Sequence, residues 1–127
     1  MRWFVGVMCV VCFGFAGLFE QAIEEAKKEE KLVWVFVEIP RCPWCARMRH
    51  ELLESGVYDE ALSGLYVVVP LGREEAIAKG LRAEYFPTSF LIDPTNGETL
   101  EMLPGYMKSE DFIEYLKLVY EIEQGDK

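Results

Sequence analysis

Leu32-Val33-Trp34-Val35-Phe36-Val37 is an unbroken apolar run of β-branched and aromatic residues, and Cys42-Pro43-Trp44-Cys45 follows it closely. The run's length and composition predict a central strand covered on both faces. Pro43 to Leu53 predicts a helix, with Cys45, Met48 and Leu52 on one face, ended by Ser55-Gly56. The cysteine pair thus falls where a buried strand hands over to a helix. Unpaired backbone N–H groups and the helix dipole at that point favour a thiolate at Cys42. Pro43 is harmless there, because its missing N–H would have had no helical partner. Cys45 lies one turn in and faces the core. An accessible nucleophile beside a sheltered resolving thiol is the arrangement that disulfide exchange needs.

Two bland readings compete with catalysis. A stapling disulfide across so short a loop gains only ~2 kcal/mol by chain entropy, and strain erodes that. A zinc site needs about four ligands. Outside the N-terminal apolar segment the chain offers only Cys42, Cys45 and His50, so no metal is expected. Arg41, Arg47 and Arg49 surround the pair, and no acid intervenes between Glu38 and Glu51. Arg41 is the best placed to stabilise a Cys42 thiolate. Arg47, Arg49 and His50 read more simply as a wet helix face.

Outward from this centre, Glu20 to Lys31 predicts an amphipathic helix with Ala22, Ile23 and Ala26 on its apolar side. Leu65 to Val69 predicts a second buried strand closed by Pro70, and Arg73 to Lys79 a short helix stopped by Gly80. Thr88 to Ile92 and Glu98 to Met102 flank Asp93-Pro94-Thr95-Asn96-Gly97, an antiparallel hairpin. Ser109 caps a last helix running to about Ile122, with Phe112, Ile113, Leu116, Val119 and Tyr120 inward. The order predicts an α/β fold: one mixed sheet with helices on both faces.

Composition sets the class. The chain has 127 residues, 51% of them hydrophobic, enough for one cored domain. With 13 Lys and Arg against 22 Asp and Glu, its formal charge of −9 argues against nucleic acid as a partner. Met1 and Arg2 precede an uncharged run from Trp3 to Phe19. Residues 1–17 therefore read as a secretory leader, with cleavage after Ala16 or Gly17, or as an uncleaved membrane anchor. Residues 18–127 form the domain, and either reading places it outside the cytoplasm. Cys9-Val10-Val11-Cys12 lies within the leader, where no scaffold holds its thiols. Met8 and Val11 before these cysteines argue against lipidation.

Three features together resemble the thioredoxin superfamily, over about Leu18 to Ile122. These are Cys42-Pro43-Trp44-Cys45 after a buried strand, Phe86-Pro87-Thr88 opening the hairpin, and Asn96-Gly97-Glu98 followed by Pro104-Gly105-Tyr106. The resemblance implies a thioredoxin-like fold and a thiol–disulfide oxidoreductase. In it Cys42 attacks and Cys45 resolves, with no cofactor because the cysteines carry the electrons. It implies a cis Pro87 against the pair, Phe86, Pro87 and Thr88 offering backbone to an extended client, and Trp44 as an exposed lid. Cytoplasmic thioredoxins carry a buried acid where Phe36 stands. Glu38, the nearest acid, either moves the Cys45 proton or is merely solvated. That departure and the leader resemble exported, periplasmic members, whose partners would be protein thiols or disulfides and a membrane electron donor. A positive field at the pair favours an oxidising couple, whereas the family favours a reductant. A non-catalytic adaptor, binding a partner through the Phe86-Pro87 edge, is the alternative.

Overall fold

The computed structural model describes residues 17–125, so residues 1–16, where the sequence predicts a leader or anchor containing Cys9 and Cys12, lie outside the described residues. The chain runs α1 (Leu18–Glu29), β1 (Leu32–Glu38), α2 (Pro43–Arg49) continuing as one wider π turn (His50–Glu54), α3 (Asp59–Leu65), β2 (Tyr66–Gly72), α4 (Arg73–Ala78), β3 (Thr88–Ile92), β4 (Thr99–Pro104) and α5 (Ser109–Gly125). The sheet order is β2-β1-β3-β4. β1 pairs with β2 in parallel and with β3 antiparallel, and β3 pairs antiparallel with β4. This is the mixed α/β sheet that the element order predicted.

β1 is central and every residue from Leu32 to Val37 is buried. Its alternation splits the core in two. Val33, Val35 and Val37 face Ala22 and Ala26 of α1, with Val69, Leu71, Phe90 and Ile92. Small residues on α1 let the helix approach the valine ridge closely. Leu32, Trp34 and Phe36 face the opposite layer, where α2, α3 and α5 contribute Met48, Leu52, Leu62, Phe112 and Leu116. Trp34 packs against Phe112 with ring centroids 5.0 Å apart and meets Phe36 edge-on at 5.9 Å. Tyr66 extends through this layer to donate its hydroxyl to Leu116 O at 2.7 Å, and burial pushes its phenol well up.

Several boundaries differ from the sequence expectation, each for a physical reason. β2 does not close at Pro70. It continues to Gly72, and it is a partly exposed edge strand rather than a buried one. Pro70 is tolerated because β2 has a strand on one side only, so a missing donor breaks no second ladder. The short helix α3 was not anticipated. Asp59 and Glu60 occupy its first turn and Leu62 supplies its buried contact. β4 begins at Thr99 because Asp93 organises a longer loop: its carboxylate accepts from Thr95 N at 2.9 Å, and Gly97, at φ 76°, donates to Asp93 O at 2.8 Å. α1 begins two residues earlier than expected, and α5 runs on to Gly125.

Candidate active site

The site is assembled at one end of β1. After Glu38 the chain leaves the sheet, turns through Arg41 in the left-handed region (φ 59°), and enters α2 at Cys42. A non-glycine residue at positive φ is strained, and here it sits next to the cysteine pair. Cys42 is the residue that caps α2, with Pro43 in the first helical position. The Cys45 backbone N–H donates to Cys42 Sγ at 3.1 Å, and Ala46 N–H donates to Cys42 O at 3.0 Å. Cys42 and Cys45 are joined as a disulfide, their Cα atoms 5.2 Å apart. Cys42 is half-buried and Cys45 is 1% exposed. Helix periodicity produces that contrast: Cys45, Met48 and Leu52 share the inward face.

The second wall comes from the loop before β3. The Phe86-Pro87 peptide bond is cis, as the resemblance implied. Phe86 O lies 3.7 Å from Cys42 Sγ, so the cis-proline loop meets the cysteine pair directly. Pro87 and Thr88 are buried, and Thr88 Oγ1 donates to Tyr85 O. Gly105 N–H donates to Pro87 O at 2.6 Å, tying the loop after β4 to the same place. Tyr85, 67% exposed, stands beside Phe86. The sequence reading did not single it out.

The charged neighbours arrange themselves differently from the simplest sequence picture. Arg41 is exposed and lines an open cleft of about 370 Å³ with Glu38, Cys42 and Arg49. Glu38 is neither free nor merely solvated: Arg49 donates to its Oε1 from Nε at 3.0 Å and from Nη2 at 2.9 Å. That contact, more than any other, holds the Arg49 guanidinium above its ordinary value. Phe36 is buried opposite Ser89 of β3, deep under the site. His50 is exposed and lies 3.6 Å from Glu54.

Trp44 is 52% exposed and is not a free-standing lid. Its ring meets Tyr106 at 5.2 Å between centroids. The Arg47 guanidinium lies over both rings, 5.6 Å from the Trp44 centroid and 4.9 Å from that of Tyr106. Glu51 closes the group. It accepts from Arg47 Nε at 3.1 Å and from the Tyr106 hydroxyl. The Tyr106 hydrogen bond and then Arg47 hold the Glu51 carboxyl below its usual value, and the same bond raises the Tyr106 phenol. Arg47 therefore does more than face water. The spacing of Trp44, Arg47 and Glu51, one residue before the inward set Cys45, Met48 and Leu52, was the signal available in the sequence.

A mixed sheet with helices on both faces, a disulfide at the start of a helix and a cis proline against it define a thioredoxin-like protein with a redox-capable cysteine pair. The sequence model of the Thioredoxin-like domain family matches residues 19–120, and the chain belongs to that family. No curated protein matches the chain in sequence. Among solved structures it is similar to a thioredoxin from Thermus thermophilus, with a TM-score of 0.66 and 23% identity, over 78% of this chain and 81% of that one. It is similar to the periplasmic thioredoxin SoxS from Paracoccus pantotrophus (TM-score 0.58, 21% identity, 71% of this chain and 96% of that one). It also resembles the oxidised C-terminal domain of DsbD from Neisseria meningitidis, with a TM-score of 0.60 and 19% identity, over 80% and 91% of the two chains. At these identities the likeness is one of fold. Fold and cysteine pair together support thiol–disulfide redox activity in general. Among the described residues no helix is long and apolar enough to cross a membrane, and no cluster of three metal-binding side chains occurs.

Proposed function

We propose that this chain is a thiol–disulfide oxidoreductase that exchanges electrons with the cysteines of exported proteins through Cys42 and Cys45. One observation carries the reading. Cys42 is half-buried, and its Sγ receives a backbone N–H at the start of a helix and lies 3.7 Å from the Phe86 carbonyl beside a cis proline. A client strand pairing with the backbone of Phe86 through Thr88 would bring its own sulfur to Cys42. Trp44 would border that strand.

In the reducing direction the Cys42 thiolate attacks one sulfur of a client disulfide. A Cys42–client S–S bond forms, the client S–S bond breaks, and the departing client sulfur takes a proton. Cys45, once deprotonated, attacks Cys42 Sγ. This releases the second client thiolate and leaves the Cys42–Cys45 disulfide seen here. Two electrons pass to the client, and an external dithiol, held by a membrane electron donor, restores the pair. In the oxidising direction the same steps run backwards. Arg41 would steady the Cys42 thiolate. Glu38, ion-paired to Arg49, is the acid nearest in sequence to the pair that could handle the Cys45 proton.

Export is supported by the uncharged run from Trp3 to Phe19 and by a fold shared with a protein described as periplasmic. The run serves as a cleaved leader or as an N-terminal anchor. Reduction of insulin disulfides by a small dithiol, with and without the protein, tests the enzyme reading, together with the reduction potential against glutathione. Catalysed reduction and a potential between about −120 and −270 mV support exchange. No catalysis, with a potential below about −300 mV, would establish the adaptor that binds through the Phe86-Pro87 edge.

A further inference from the structure

Arg47, Tyr106 and Glu51 form a closed group that no step of the sulfur chemistry uses. Arg47 reaches Trp44 from one turn further along α2 and places its guanidinium over two aromatic rings. Tyr106 comes from a different part of the chain, the loop after β4. That loop is fastened to the cis-proline loop by Gly105 N–H donating to Pro87 O at 2.6 Å. Glu51 fixes Arg47 Nε and the Tyr106 hydroxyl with its two oxygens. A tryptophan between the two cysteines, 52% exposed, would otherwise be free to sample several rotamers. The planar fork of arginine suits this position as lysine would not, because it stacks and donates to a carboxylate at once.

We propose that Arg47, locked by Tyr106 and Glu51, is a positioning residue that holds Trp44 as a fixed wall of the client groove, so that it sets affinity for protein substrates and leaves the sulfur exchange itself unchanged. The inference rests on the exchange reading above. A client with a folded or extended backbone must pass this wall to reach Cys42. A small disulfide reaches the sulfur without touching it. Preorganising the wall lowers the ordering cost of binding an extended segment, which is where such a device acts.

The test is a steady-state comparison of wild type, Arg47→Ala, Arg47→Lys, Glu51→Ala and Glu51→Gln on two substrates, insulin and hydroxyethyl disulfide. Arg47→Ala is expected to raise KM for insulin about fivefold, the upper end of what an exposed stacked cation contributes, with kcat within about twofold. Hydroxyethyl disulfide turnover should stay within about twofold for every variant. Glu51→Gln, which keeps one acceptor oxygen where the carboxylate has two, should recover only part of what Glu51→Ala loses, and Arg47→Lys should recover little. Parallel losses on both substrates would overturn the proposal and make Arg47 a thiolate-tuning or structural residue. Unchanged insulin KM in Arg47→Ala would overturn it as well. Wild type inactive on both substrates would instead remove the exchange reading itself, and this inference with it.

Discussion

Helix α2 carries two stripes of three residues with identical spacing, displaced by one position. Cys45, Met48 and Leu52 are all buried, Met48 and Leu52 in one layer with Trp34 and Phe36. Trp44, Arg47 and Glu51 meet Tyr106 and solvent. One residue corresponds to a rotation of about 100° around the helix, so neighbouring positions serve opposite environments. The inner stripe withdraws one sulfur from solvent and anchors the helix. The outer stripe packs against Tyr106 at the surface, where it would form the proposed wall beside the other sulfur. The asymmetry proposed between Cys42 and Cys45 therefore needs no special chemistry at either residue. It follows from where α2 begins and from which of its faces is apolar.

The sharpest way to break this comparison is to remove the buried sulfur. Cys45→Ser should abolish turnover and accumulate a mixed disulfide between Cys42 and a client, because nothing remains to attack it. Cys42→Ser should be equally inactive and trap little. Non-reducing gels of the two variants after exposure to an oxidised client decide it. Equal trapping by both would mean that the inner and outer positions do not differ in reactivity as their burial implies.

A second comparison removes anchoring without touching sulfur. Leu52 is fully buried below the site. Leu52→Ala should destabilise the fold by about 2–5 kcal/mol, since the packed layer around it cannot fully collapse into the space. Exchange activity per folded molecule should change little at low temperature. Chemical denaturation monitored by buried Trp34 measures the first, and insulin reduction the second. A Leu52→Ala variant that kept full stability would show that the inner stripe is not the anchor.

The inner stripe, and with it most of the fold, was legible in the sequence because burial writes a regular pattern. The run Leu32–Val37 announces a central strand, and the spacing of Phe112, Ile113, Leu116 and Val119 announces the face of α5. The cysteine pair was legible from its place where a buried strand meets a helix, and the cis Pro87 through the resemblance, which depends on their order along the chain. What could not be read is contact between polar groups far apart in sequence. Tyr106 finds Glu51 across 55 positions, and nothing in either local pattern says so. Arg49 was expected on a wet face, yet it reaches back 11 positions to Glu38. The π turn at His50–Glu54 was hidden for a related reason. Its extra residue, closed by Ser55 N–H donating to His50 O at 2.9 Å, leaves the apolar spacing of the helix intact.

A smaller effect is expected at the turn into α2. Arg41 is exposed and next to Cys42, so removing its charge should weaken thiolate stabilisation only modestly in a screened setting. In a Cys45→Ser background, Arg41→Ala should slow alkylation of Cys42 at neutral pH by about twofold, and high salt should shrink the difference. A rate unchanged at low salt would leave the Cys45 backbone N–H as the principal support of the Cys42 sulfur.

The smallest effect distinguishes the two stripes by pH. The inner stripe holds only a disulfide, a thioether and an alkyl group, so its contribution has no titration. The outer stripe depends on a carboxylate. Tyr106 first and then Arg47 hold the Glu51 carboxyl below its ordinary value, with a weaker contribution from the nearby His50. A depressed folded value means that the unfolded chain takes up the proton first as pH falls. Stability from Glu51 is therefore complete above the ordinary carboxylate range and is lost as pH drops through the folded value. Tyr106 has the opposite sign: its raised phenol contributes stability below the ordinary tyrosine range, which is lost as pH climbs through the folded value. Both groups lie only partly buried at the surface, so the changes are small and screened by salt. Thermal melts of wild type and Glu51→Gln from pH 3 to 7 should show the greatest gap near neutrality and convergence at the acid end. Leu52→Ala should instead lie below wild type by a similar margin throughout. If the Glu51→Gln gap were constant with pH, the carboxylate would not be the member of the outer stripe that holds it together.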